Sequence, residues 1–143
     1  MTSFSDYTHI VQYYETDKMG ITHHSNYIRW MEEARVDFLQ QMGWDYARLE
    51  SLGISSPVTA VDCKYKISTT FSDRITIHVS VAEFNGVRLK LCYEMKNSDG
   101  QLVCQAHSEH CFMNRSGGFI RLKKDYPEFY KALSDLAAQK AGA

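Results

Sequence analysis

One stretch of this sequence gathers most of the side chains suited to chemistry: Tyr13-Tyr14-Glu15-Thr16-Asp17-Lys18-Met19-Gly20-Ile21-Thr22-His23-His24-Ser25-Asn26-Tyr27. Asp17 and Gly20 fall where the pattern reads as a loop, and His24 stands at the threshold of a long helical repeat. A helix start presents unpaired backbone N–H groups and the positive end of its dipole, which suits a developing oxyanion. A nearby carboxylate such as Asp17 can act as nucleophile or general base, and an imidazole such as His24 can orient or polarise. One loop thus holds the parts of an acyl-transfer site. Plainer roles stay open on spacing alone. An Asp approaching a helix is commonly a cap or turn residue, and a His pair there is commonly just a polar end.

Other chemistries find less support. No HExxH or Cys/His ligand spacing appears, so no metal is expected. There is no GxSxG elbow and no phosphate-binding P-loop, and Gly117-Gly118 alone is too weak a signal for one. Cys63, Cys92, Cys104 and Cys111 show no CxxC pair and lie in apolar, strand-like stretches, as expected of reduced thiols in a cytoplasmic protein. Sixteen basic against seventeen acidic side chains leave a net charge of −1, which argues against a nucleic-acid module. No apolar run is long enough for a transmembrane helix, and the first residues lack the basic start and apolar stretch of a signal peptide.

The elements that must position this loop follow from hydrophobic period. With 143 residues the chain is long enough for an ordinary core, burying roughly two-thirds of its surface on folding. Two prolines and no low-complexity segment imply one domain over residues 1–143. Thr8 to Glu15 reads as a strand. Tyr27, Met31, Ala34, Phe38 and Met42 recur every three or four residues and predict one long helix, with Ser25 or Asn26 as its cap and Gly43 at its end. Trp44 to Leu52 suits a short second helix before Gly53. After Pro57 the period becomes two. Val61-Cys63-Tyr65-Ile67, Ile75-Ile77-Val79-Val81 and Val87-Leu89-Leu91-Tyr93-Met95 each alternate with more polar residues, as antiparallel strands do. Asn85-Gly86 and Ser98-Asp99-Gly100 supply hairpin turns. A last strand runs from about Gln101 to Asn114, and Asp125 to Ala138 suits a terminal helix. Strand, long helix and four strands make an α+β domain in which the sheet and the helix bury each other.

The run Tyr13-x-x-x-Asp17-x-x-Gly20-x-x-x-His24-x-x-Tyr27-x-x-Trp30-x-Glu32-x-x-Arg35 resembles the hotdog-fold acyl-CoA thioesterases. The closest branch looks like the 4-hydroxybenzoyl-CoA thioesterase-like group, which includes the Tol–Pal-cluster thioesterases. The resemblance implies a five-stranded antiparallel sheet wrapped around a central helix, and hydrolysis of an acyl-CoA to free acid and coenzyme A. No cofactor is implied, because coenzyme A is part of the substrate. Asp17 matches the family's catalytic carboxylate, as nucleophile or general base. The His24 backbone amide matches the group that polarises the thioester carbonyl, and Tyr13 matches an active-site tyrosine of the Tol–Pal-cluster relatives. Arg88 and Lys90 sit where such enzymes often hold coenzyme A phosphates, although on spacing alone a solvated strand face is the plainer reading. Glu32 and Arg35 read as a structural ion pair on the helix. Relatives form homodimers or homotetramers with the site at the subunit interface. Alternatives are an acyl-carrier-protein thioesterase and a non-catalytic acyl-CoA-binding module. Two departures bear on the pocket: His23 replaces the usual aromatic before the His, and Lys18-Met19 replace small residues after Asp17.

Overall fold

The computed structural model describes residues 4–141. Its strands are β1 (Tyr7–Ile10), β2 (Val58–Tyr65), β3 (Arg74–Phe84), β4 (Arg88–Lys96) and β5 (Leu102–Cys111). They form one antiparallel sheet in the order β1-β3-β4-β5-β2, with β1 and β2 at its edges. The turn chemistry sets the registers. Asn85 Oδ1 accepts from the N–H groups of Val87 and Arg88 in the β3–β4 hairpin, and Asn97 Oδ1 accepts from those of Asp99 and Gln101 in the next. Ile75, Ile77 and Val81 of β3 and Leu89, Leu91, Tyr93 and Met95 of β4 then face inward and are buried.

Against that face lies α1 (Ser25–Met42). Tyr27, Met31, Ala34 and Phe38 are buried as their spacing requires, and Trp30 and Leu39 widen the stripe. The larger aliphatic and phenyl side chains among them, such as Met31, Phe38 and Leu39, each contribute about 1.5–3 kcal/mol relative to exposure. Gly43 ends the helix at φ 84°, a left-handed conformation that glycine adopts without a Cβ clash. A short α2 (Tyr46–Ser51) starts at Asp45, whose carboxylate accepts from the Arg48 N–H at 2.9 Å. After the turn α3 (Leu122–Asp125), α4 (Pro127–Ala141) closes the far side of the core. Phe129 of α4 stacks on Trp44 at 4.7 Å and meets Phe112 edge-on at 5.7 Å. No described helix is long and apolar enough to cross a membrane.

Two local expectations change. The first strand stops at Ile10, and Tyr13–Glu15 forms a 3₁₀ turn in place of the strand's second half. A reciprocal cap at Gln12 and Glu15 competes with the sheet here: the Glu15 side chain accepts from the Gln12 N–H at 2.8 Å. Neither Ser25 nor Asn26 caps α1. His24 occupies the cap position without a side-chain bond, and Asn26 Nδ2 turns back to donate to the carbonyls of Glu15 and His23. None of the four cysteines is in a disulfide, with Cys92, Cys104 and Cys111 buried and Cys63 half-buried. Glu32 and Arg35 pair as expected at 2.9 Å.

Candidate active site

The loop that carries Asp17 is closed at both ends. Thr16 and Thr22 form an isolated antiparallel bridge, and Asp17 N–H donates to the Ile21 carbonyl at 2.9 Å. Gly20 N–H donates to the Asp17 carbonyl at 2.9 Å, and Gly20 itself sits at φ 81°, where a Cβ would be strained. Asp17 Oδ1 accepts from the Met19 N–H at 2.8 Å, so the carboxylate does close its own turn. That role leaves the carboxylate partly exposed rather than buried in a cap.

A second strap comes from the segment before β3. Thr22 N–H donates to the Thr69 carbonyl at 2.8 Å, the hydroxyls of Thr22 and Thr69 lie 2.6 Å apart, and Tyr27 OH bonds the Thr69 hydroxyl at 2.9 Å. Thr70 Oγ1 donates to the Gly20 carbonyl at 2.7 Å. The loop is thus fastened to α1 through Tyr27 and to the sheet through residues 69–70.

These straps open a cleft of about 270 Å³ lined by Asp17, Met19, Thr22, His24, Tyr27, Tyr65 and Lys66 among others. Asp17 and the first residue of the α1 cap thereby share one pocket, as the spacing predicts. The helix start is held by bonds from Asn26 N–H to the His23 carbonyl (3.0 Å) and from Tyr27 N–H to the His24 carbonyl (3.3 Å), neither of which uses the His24 N–H. The His24 ring stacks on His23 at 4.3 Å, and Tyr65 OH donates to the His24 carbonyl at 3.2 Å. None of the four cysteines lines this cleft among the described residues.

The other expected residues are placed differently. Tyr13 lies in the 3₁₀ turn, 76% exposed, with its ring edge-on to Phe71 at 5.7 Å, and it does not line the cleft. Arg88 lines a separate groove of about 680 Å³ with Thr59, Ala60, Glu109 and the exposed Phe119. Lys90 is outside that groove and sits in register between Glu83 of β3 and Glu109 of β5, so two carboxylates flank it. Tyr65, Lys66 and Tyr27 were not singled out by sequence as pocket residues. Tyr27 fits the buried helix stripe and Tyr65 the strand alternation, and both of those patterns report packing, not lining.

Behind the loop lies a buried polar cluster. The Glu15 carboxylate accepts from Gln12 N–H (2.8 Å) and Trp30 Nε1–H (2.8 Å) and lies 2.8 Å from His9 Nε2. His9 Nδ1 is 3.0 Å from Glu33, which also accepts from Tyr7 OH at 2.7 Å. Burial pushes the Glu15 carboxyl up, but the Gln12, His9 and Trp30 partners outweigh it and hold the group below the usual carboxylate range.

Comparisons with known proteins place the fold and the family. Residues 11–136 match the family model described as the thioesterase-like superfamily. A Staphylococcus aureus structure described as a DHNA-CoA thioesterase superposes with a TM-score of 0.91 at 32% identity, covering 97% of this chain and 95% of that one. The Bacillus subtilis protein named "Putative acyl-CoA thioesterase YneP" is 32% identical over 85% of this chain and 89% of its own length. A 1,4-dihydroxy-2-naphthoyl-CoA hydrolase from Thermosynechococcus vestitus is 27% identical over 76% of this chain and 75% of its own. The sheet and its long helix are the hotdog fold. The chain belongs to the thioesterase-like superfamily and is a thioester hydrolase.

Proposed function

We propose that this enzyme hydrolyses an aromatic acyl-CoA, with Asp17 and the start of α1 as its catalytic centre. The observation that carries the reading is the shared cleft, which holds a partly exposed carboxylate and the positive end of an 18-residue helix. The thioester carbonyl oxygen points at the His24 N–H, where the amide and the helix dipole stabilise the oxyanion. Asp17 either attacks the acyl carbon or takes a proton from water that does so. The C–S bond breaks, water supplies the new oxygen of the acid, and a proton ends on the coenzyme A thiol. His24 and Tyr65 hold the acyl group from the side. An aromatic acyl group is supported by the aromatic lining, Tyr27, Tyr65 and His24, and by relatives named for naphthoyl-type coenzyme A substrates. Four cysteines outside any disulfide suit a reducing compartment, and we take the enzyme as cytoplasmic.

The site is completed in this reading by a second copy. β2 is a sheet edge with Val58, Val61 and Tyr65 all 42–50% exposed, an edge that invites pairing. The Arg88 groove touches Ala60 and the cleft touches Tyr65, five residues or ~17 Å apart along the strand. Antiparallel pairing of two β2 edges brings one copy's Ala60 end toward the other's Tyr65 end. Arg88 of one protomer then supplies a phosphate contact for coenzyme A whose thioester lies in its partner's cleft. Lys90, flanked by Glu83 and Glu109, contributes less. A thiol-release screen over aromatic, short aliphatic and long aliphatic acyl-CoAs tests the proposal. Fastest turnover of an aromatic substrate is expected. No thiol release from any free acyl-CoA would overturn it in favour of a carrier-bound substrate or a binding module.

A further inference from the structure

Residue 15 is a junction of more bonds than a packing role requires. Its side chain reaches the 3₁₀ turn through Gln12 N–H, β1 through His9 and the second turn of α1 through Trp30 Nε1–H. Its backbone carbonyl accepts from His23 N–H at 2.8 Å and from Asn26 Nδ2 at 3.0 Å. The chain entering the Asp17 loop and the chain leaving it into α1 therefore converge on one residue. Glu15 is 4% exposed, so it cannot reach a substrate itself. We infer that Glu15 is a positioning residue of the thioester hydrolysis, a buried clasp that fixes where the Asp17 carboxylate stands relative to the start of α1. This rests on the proposed role of Asp17.

The chemistry of the clasp explains why a carboxylate fills this place. One acidic side chain offers enough acceptor positions for three donors on three different elements, which neither a hydroxyl nor an amide provides. Trp30 is completely buried and packs at a tilt against the rings of His9 at 4.7 Å and Tyr27 at 4.6 Å, so its indole N–H is a rigid reference point. Glu33 holds the far nitrogen of His9 and so orients the ring toward Glu15. A shift at residue 15 is passed over one peptide to Thr16 and then to Asp17. It is also passed through His23 to the helix start. The nucleophile or base and the oxyanion donors would then move apart together, and a displacement on the order of 1 Å is enough to cost about a hundredfold in rate.

The test is a double-mutant cycle on the full-length chain, using steady-state thiol release. Glu15→Gln keeps the shape but puts an amide N–H against one of the donors. It should lower kcat by roughly ten- to a hundredfold with KM changed by less than about threefold, as for a misplaced catalytic group. In an Asp17→Asn background the same substitution should change kcat by less than about threefold, because the group it positions is already gone. Wild-type kcat in folded Glu15→Gln, or an equal fold-loss in both backgrounds, would overturn the inference. If Glu15→Gln does not fold, Trp30→Phe removes one donor to the clasp and serves in its place. A kcat loss seen only with Asp17 present supports the clasp, and wild-type kcat overturns it. Asp17→Asn alone reports on the catalytic reading, so near-normal turnover by that single variant marks a failure of the reading itself.

Discussion

His110 makes the stability of this fold depend on pH in a window set by its surroundings. The ring is wholly buried on β5, with Nε2 2.7 Å from Ser108 Oγ, which in turn lies 2.7 Å from Tyr93 OH. Its Nδ1 makes no well-formed hydrogen bond among the described residues, and the Ser56 backbone is its polar neighbour. Burial first, and the Arg35 guanidinium second, push the ring from its usual 6.5 down to about 4. A base with a depressed folded value binds its proton more readily when unfolded, so stability falls as the pH drops from 6.5 toward about 4. At ~1.4 kcal/mol per tenfold change in proton affinity the loss amounts to about 3 kcal/mol by the lower limit. His110→Gln removes this titration and keeps an oxygen that accepts from Ser108. Urea unfolding of both proteins at one chain concentration, at neutral pH and near pH 4, gives the comparison. Wild type should lose about 3 kcal/mol more than the variant over that interval. Parallel pH dependences would show that His110 does not set this window, whatever the variant's absolute stability.

Other consequences concern the site and its assembly. Arg88→Ala should raise KM for acyl-CoA several-fold with little change in kcat, and the gap from wild type should narrow as salt screens the phosphate contact. Lys90→Ala, between two carboxylates, should change KM less, and a larger effect at Lys90 than at Arg88 would reverse that assignment. Val61→Lys, which places a charge on the exposed β2 edge, should lower the mass seen in sedimentation to that of a single chain and lower turnover with it. A fully active monomer would show that one cleft suffices.

The parts of this structure legible in the sequence are those governed by local repeats. Ile75, Ile77, Leu89, Leu91 and Met95 alternate because one sheet face is buried, and Tyr27, Met31, Ala34 and Phe38 recur because one helix stripe is. Asn85-Gly86 marks its turn because few other residues accept that backbone. Tyr13 and Tyr14 misled for a related reason. Their type favours strands, yet the Gln12–Glu15 cap wins locally and leaves both rings exposed. β2 carries the expected alternation, but at an edge that α1 covers only in part, Val61 and Tyr65 stay half exposed. Asp17 and His24 were visible as a loop and helix start. The clasp at Glu15 was not, because its partners Trp30 and His9 come from other elements and no spacing rule links them.

The proposed chemistry of Asp17 on the thioester is open to direct measurement. Asp17→Asn retains an oxygen able to accept from the Met19 N–H, so the turn keeps its bond while the negative charge is lost. Measured with the best acyl-CoA substrate, kcat should fall by a factor on the order of 10² or more with KM nearly unchanged and the melting temperature close to wild type. A well-folded Asp17→Asn protein with near-normal kcat would contradict the account.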